Sequence, residues 1–507
     1  LSSAKLDIIK GVDRPSHRGL LTPNLLLVLL LLLAALPSAR LPGALPRDCW
    51  VALTGQTGAT SPPVDAAEAA AVCFPLRAEL WEEAARQALQ AGQPALAISY
   101  LESALANSNR FSLELQTPAD NSALILLADA YLQAGEAARA LEVWETIARR
   151  SGLSADTARA LASLHLAQAD YPAARQTWET LLAQHPGDAQ AHFELGLLLA
   201  AYDPEAALPH LAQAADLDPQ FVGQTEVLQR AILGARIGSS AAYTLLASGR
   251  VLATLGHWGL AAEAFRQSIL HQPNYAEAWA YLGEARQHLQ THGETSQAAG
   301  APASDGLFEL QTALELNPRS LSAWTFVSLY WQRRSEPERA LEAAQRASEF
   351  DPANPVLQAH VASIQAEAGD FDAAFASYQQ AARLAPYDPA YLRQIVLFAL
   401  DYNYRVEQTA LPISRQLLID HPQDPLNLDL MGRTLIYLGD LAGAQKFLVR
   451  ALQIDPRSAP AHLHLGLLYL LQQDPTAALD HLQAAQALDP AGPSGSQARR
   501  LLENGAP

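Results

Sequence analysis

The chain has 507 residues, of which 50% are hydrophobic and 17% charged, and a formal net charge of -18. That composition belongs to a folded protein rather than a disordered one, and the acidic balance excludes nucleic acid as a natural partner, because a phosphate backbone would be repelled. Two cysteines are too few for a zinc site built on cysteine pairs or for a disulfide scaffold.

The first 19 residues form a basic lead. Residues 1–47 hold Lys5, Lys10, Arg14, Arg18, Arg40 and Arg47 against Asp7 and Asp13, a net charge of +4; the remaining 28 basic and 50 acidic residues then give -22. Residues 20–39 read LLTPNLLLVLLLLLAALPSA, and from Leu25 to Leu36 no side chain carries a polar atom. Twenty residues of helix span about 30 Å, the thickness of a bilayer core. With positive charge in front, the expectation is an uncleaved single-pass anchor in the cell membrane, the rest of the chain lying outside the cytoplasm. The alternative is secretion after a signal peptide is cut behind Ala39, where Pro37 makes a poor cleavage site.

Residues 40–64 are rich in Pro, Gly, Ser and Thr and read as a flexible linker. Cys49 and Cys73 lie in and just beyond it. In an exported chain they can close one disulfide, in the cytoplasm they stay thiols, and spacing alone does not choose between the two. The stretch GQTGATS lacks the lysine of a phosphate loop and follows no predicted strand, so that reading is rejected.

From residue 65 the pattern is helical, and its rule is plainest near the end. Pro425–Ser458 and Ala459–Gly492 are each 34 residues long and align without a gap, pairing Gly432 with Gly466, Ala444 with Ala478, Leu448 with Leu482, Ala451 with Ala485 and Pro456 with Pro490. The small residues permit close helix crossing and each Asp-Pro ends one helix and begins the next, so a unit is a helix, a turn and a second helix. Stepping the frame backwards gives further units beginning near Ala78, Asn121, Ala155, Ala189, Ala242, Ala276, Leu321, Pro355 and Pro389. Trp144 and Trp178, one period apart on successive second helices, read as packing residues.

This period and pattern resemble the tetratricopeptide repeat. The resemblance implies an all-α, right-handed superhelical solenoid of about eleven helix-turn-helix units whose stability comes from stacking neighbours. Residues 65–221 form a first block, 222–241 an extra linking helix, 242–492 a second block with a loop insertion at 291–306, and 493–507 a cap and tail.

No catalytic residue, cofactor site or metal site is expected. Nucleophile elbows and glycine-rich fingerprints are missing. His462 and His464, two apart on a helix, point to different faces and make a poor metal pair with His481. The resemblance places a binding groove on the first (A) helix of each unit, where positions two, five, nine and twelve face the concave side. The matching residues include Ile125, Asp129 and Arg159; Phe193 and Leu197; Tyr243, Leu246 and Arg250; Leu329 and Arg393; and Asp429, Arg433, Leu463 and Leu467. Such a mixture suits a partner's peptide or helix, with arginines reading carboxylates and apolar spots supplying burial, although side chains at these positions also contact the next repeat. The expected function is a membrane-tethered, non-catalytic scaffold for protein partners, with self-association through the open ends of the array also compatible. The alternative is an accessory subunit of a cell-surface polysaccharide or envelope assembly system.

Overall fold

The structure, a computed structural model, describes residues 78–111, 121–236, 240–291 and 305–503. The leucine-rich segment 20–39, the linker, Cys49 and Cys73 lie outside the described residues, as does most of the insertion. Among the described residues there are 24 α-helices, one 3-10 turn and no strand, and no helix is long and apolar enough to cross a membrane.

Two compact bodies are present, one within residues 1–166 and 172–184 and the other within 167–171 and 185–507. The first holds three helix pairs: α1 Ala78–Gln90 with α2 Pro94–Phe111, α3 Ser122–Gln133 with α4 Ala137–Ser151, and α5 Ala155–Ala167 with α6 Tyr171–Gln184. Its core contains Leu101, Ala128, Ala140, Trp144 and Ile147.

The second body begins with α7 Ala189–Ala200 and α8 Pro204–Leu217, followed by the turn Pro219–Phe221 and the single helix α9 Val222–Arg236. The next pairs are α10 Ala241–Thr254 and α11 Trp258–His271, α12 Ala276–Thr291 and α13 Leu307–Leu316, and α14 Leu321–Arg333 and α15 Pro337–Phe350. They continue as α16 Pro355–Glu367 and α17 Phe371–Leu384, and α18 Pro389–Asp401 and α19 Val406–Asp420. Last come α20 Pro425–Tyr437 with α21 Leu441–Ile454, α22 Ala459–Leu471 with α23 Pro475–Leu488, and the single helix α24 Pro493–Glu503.

Local chemistry sets these boundaries. Asp188, Ser320, Asn354, Asp388 and Asp424 each accept a hydrogen bond from a first-turn backbone N–H of the A helix that follows, which satisfies a donor the helix itself cannot. Between the two helices of a unit, the fifteenth residue takes a positive φ in nine units: Gly92, Gly135, Gly256, Gly369 and Gly439, and also Ala169, Ser335, Asn403 and Gln473. Glycine is the unstrained choice there, and the four other side chains carry some backbone strain.

Within a pair, the small residue at position eight receives a bulky side chain of the second helix. A Cβ added at Gly432 would stand 2.5 Å from Leu448 Cγ, and one at Gly466 would stand 2.8 Å from Leu482. Ala444 and Ala478, facing each pair from the second helix, are completely buried. Between units, a ring at position four reaches back to the proline that closed the preceding unit. Trp279 Nε1 donates to the Pro273 carbonyl at 2.8 Å and Trp324 Nε1 to that of Pro318 at 2.9 Å. His192 and His462 do the same through Nε2, to Pro186 at 3.1 Å and Pro456 at 3.2 Å.

Candidate partner-binding groove

The A helices near the end of the second body build an open groove of about 690 Å³, walled by α18, α20 and α22 and closed at one end by Pro493, Ser494 and Gln497 of α24. Leu397, Leu426 and Tyr437 expose 37%, 46% and 44% of their surface, so the lining is both apolar and accessible. Of the residues expected to face a groove, six line this one: Arg393, Leu397, Asp429, Arg433, Leu463 and Leu467.

Its charged groups are already matched inside the chain. Arg393 donates through Nε to Asn427 Oδ1 at 2.7 Å and pairs with Asp424. Arg433 pairs with Asp401. His464 Nδ1 lies 2.7 Å from Asp429 Oδ1, with the two side chains only 12% and 6% exposed. Asn427 in turn donates to the Leu417 carbonyl at 3.1 Å. The Arg393, Arg433 and His464 pairs each join the A helices of units one repeat apart, so these groups fasten neighbouring units, and neither arginine is left uncommitted for a partner's carboxylate.

The other expected groove residues are distributed differently. Phe193, Leu197 and Leu246 are 5%, 1% and 2% exposed; they belong to the core, and Phe193 stacks on Phe221 of the 3-10 turn with ring centroids 4.6 Å apart. Tyr243 is exposed, Leu329 is half-buried, and the Arg250 guanidinium sits over the Tyr281 ring at 5.3 Å. In the first body Ile125 and Asp129 are exposed, and Arg159 pairs with Asp156 of its own helix at 2.9 Å.

Two features lay beyond the reading of positions alone. The first is a polar network around Glu284 of α12, which accepts from both Nη atoms of Arg333 at 2.5 and 3.0 Å; Arg333 also donates to Gln287 Oε1 at 2.6 Å. His288 lies 3.1 Å from the same carboxylate and stacks flat on Trp258 at 3.7 Å. The second is a repeated imidazole pair. His192 and His210 meet Nδ1 to Nδ1 at 3.0 Å, and His462 and His481 at 2.9 Å. Because the proline carbonyls can only accept, Nε2 of His192 and of His462 carries the proton, and Nδ1 accepts from its partner. Burial, and then the neighbouring His462, hold the His481 imidazole below its ordinary range. His464 takes no part, and among the described residues no group of three or more His, Cys, Asp or Glu side chains could hold a metal ion.

Three solved structures with a partial likeness are low in identity. A tetratricopeptide repeat protein from Parabacteroides merdae is 12% identical with a TM-score of 0.41, the match covering 52% of this chain and 98% of that one. The Cut9-Hcn1 hetero-tetramer of the APC/C gives 16% and 0.34, covering 85% and 97%. Yeast Tom70 gives 13% and 0.31, covering 75% and 94%. No curated protein matches. The family model described as tetratricopeptide repeat matches residues 65–155, 159–220, 246–294 and 430–493, more than half of the sequence. The chain belongs to the tetratricopeptide repeat family.

Proposed function

We propose that this protein is a non-catalytic scaffold that holds protein partners against its A helices, tethered to the cell membrane by residues 20–39 with the repeats outside the cytoplasm. The observation that carries the binding reading is the groove of about 690 Å³ over α18, α20 and α22, whose accessible lining includes Leu397, Leu426 and Tyr437. Grooves of this size and character bind by burying apolar surface, with a few polar groups fixing orientation. The tether rests on the basic lead and the apolar run from Leu25 to Leu36; holding the repeats near one surface raises the local concentration of whatever they bind.

The test is site-specific photo-crosslinking in the full chain. A photoreactive residue at Leu397 or Leu467 is expected to capture the same partner protein, and one at Ile419, 73% exposed on the second helix α19, is expected not to. Equal capture from all three positions would refute the groove. For the tether, alkaline carbonate should leave the full chain in the membrane pellet and release a chain lacking residues 20–39; release of both would refute it.

A further inference from the structure

We infer that the groove over α18, α20 and α22 selects an uncharged, apolar segment of its partner, anchored by a tyrosine whose hydroxyl hydrogen-bonds to His464 Nε2. This rests on the scaffold reading above and adds the chemistry of what is held.

The charge balance comes first. Arg393 is matched by Asp424 and Asn427, and Arg433 by Asp401. A charged partner side chain entering the groove would lose its hydration and find no free opposite charge, which makes its burial unfavourable. Leu397, Leu426, Leu463 and Leu467 instead offer apolar surface to a neutral segment.

His464 supplies a polar requirement at the middle of this surface, away from Ser494 and Gln497 at the end of the groove. Its Nδ1 is held by Asp429 Oδ1 at 2.7 Å in a nearly buried pair, leaving Nε2 as the second hydrogen-bonding atom of a ring that lines the groove. When the imidazole is neutral, Nε2 accepts a hydrogen bond; when it is protonated, Nε2 donates one. An amide N–H or an indole serves only the first state and a carbonyl only the second. A hydroxyl serves both, and the side chain that joins a hydroxyl to a large apolar body is tyrosine, which is also among the residues that dominate binding hot spots.

The experiment uses three probes on the full chain, followed by ligand-observed NMR: p-cresol, toluene and 4-methylbenzoate. The expected order is p-cresol tighter than toluene by roughly three- to tenfold, the share of one net hydrogen bond, with 4-methylbenzoate weakest. Leu467→Arg should abolish binding of p-cresol and toluene together, and His464→Leu should remove only the preference for p-cresol. Because that second change deprives Asp429 of its partner and can harm folding, the unaltered chain gives an independent reading: the imidazole ¹⁵N resonance of His464 Nε2 shifts on adding p-cresol and not on adding toluene. Equal affinity for p-cresol and toluene, or a still Nε2 resonance, overturns the tyrosine anchor while leaving an apolar groove in place. Tightest binding of 4-methylbenzoate overturns the neutral-segment inference, and failure of all three probes to bind removes the groove itself.

Discussion

Replacing Gly306 by alanine tests how the insertion is fastened to the array. Gly306 caps α13 with φ +91°, and a Cβ there would run into the carbonyl oxygen of Gly283 on α12; reciprocally, a Cβ on Gly283 would stand 2.8 Å from the Gly306 carbonyl oxygen. Gly439, in the turn between α20 and α21, has a similar φ of +84° with nothing within 4 Å of an added Cβ. Both substitutions force an L-residue into the left-handed region, at a cost of about 1–2 kcal/mol. Only Gly306→Ala adds a collision, and because the obstacle is backbone it cannot rotate away, which adds about 1–3 kcal/mol. The expected losses are therefore about 1–2 kcal/mol for Gly439→Ala and about 2–5 kcal/mol for Gly306→Ala. A long array does not unfold in a single step, so the assay is native-state hydrogen exchange read on peptides from α12–α13 and from α20–α21. Equal losses at the two sites would show that the approach of the two glycines carries no energetic weight and would refute the steric argument.

Three further outcomes are expected. Arg333→Met leaves the Glu284 carboxylate facing only Gln287 and His288; the local loss on α12 and α14 should be about 2–3 kcal/mol, below the value for a fully buried pair because Arg333 is 29% exposed, and exchange rates unchanged from the parent would contradict it. Trp324→Phe removes both the N–H that reaches Pro318 and part of the ring packed against the core, so exchange at the start of α14 should rise by the equivalent of about 1–3 kcal/mol. Burial holds the imidazoles of His257, His360 and His481 below their usual range. Since the unfolded chain then takes up protons first, their contribution is complete above about pH 6.5 and is lost as the pH falls below it; opening free energies, read by native-state hydrogen exchange on α11, α16 and α23, that stay flat or rise between pH 7 and pH 5 would speak against these buried neutral rings.

Much of the architecture can be read from sequence because each boundary is chemically local. Pro425 and Ala459 begin their helices where the 34-residue frame puts them, Asp424 caps the first of these, and Gly432 and Gly466 receive Leu448 and Leu482 as small residues in that register should. The candidate site is less legible. Position five is a groove position at Asp429 and a core position at Phe193, because Phe221 comes from a segment outside the frame and covers it. The pairing of Arg393 and Arg433 did leave a signal: their partners lie 31 to 34 residues away, one repeat along, where residues of successive A helices sit side by side. The imidazole pairs left a fainter one, since His192 and His462 hold position four in their units but His210 and His481 sit 18 and 19 residues further on.

The rings that reach back to the closing prolines are of two kinds, and the difference has a physical consequence. An indole has a single nitrogen, and at Pro273 and Pro318 its N–H is given to the carbonyl. At Pro186 and Pro456 the ring is an imidazole, whose second nitrogen meets another imidazole on the second helix of the same unit, at 3.0 Å in His192–His210 and 2.9 Å in His462–His481. One side chain there ties three segments together: the proline that closed the preceding unit, its own first helix and its own second helix.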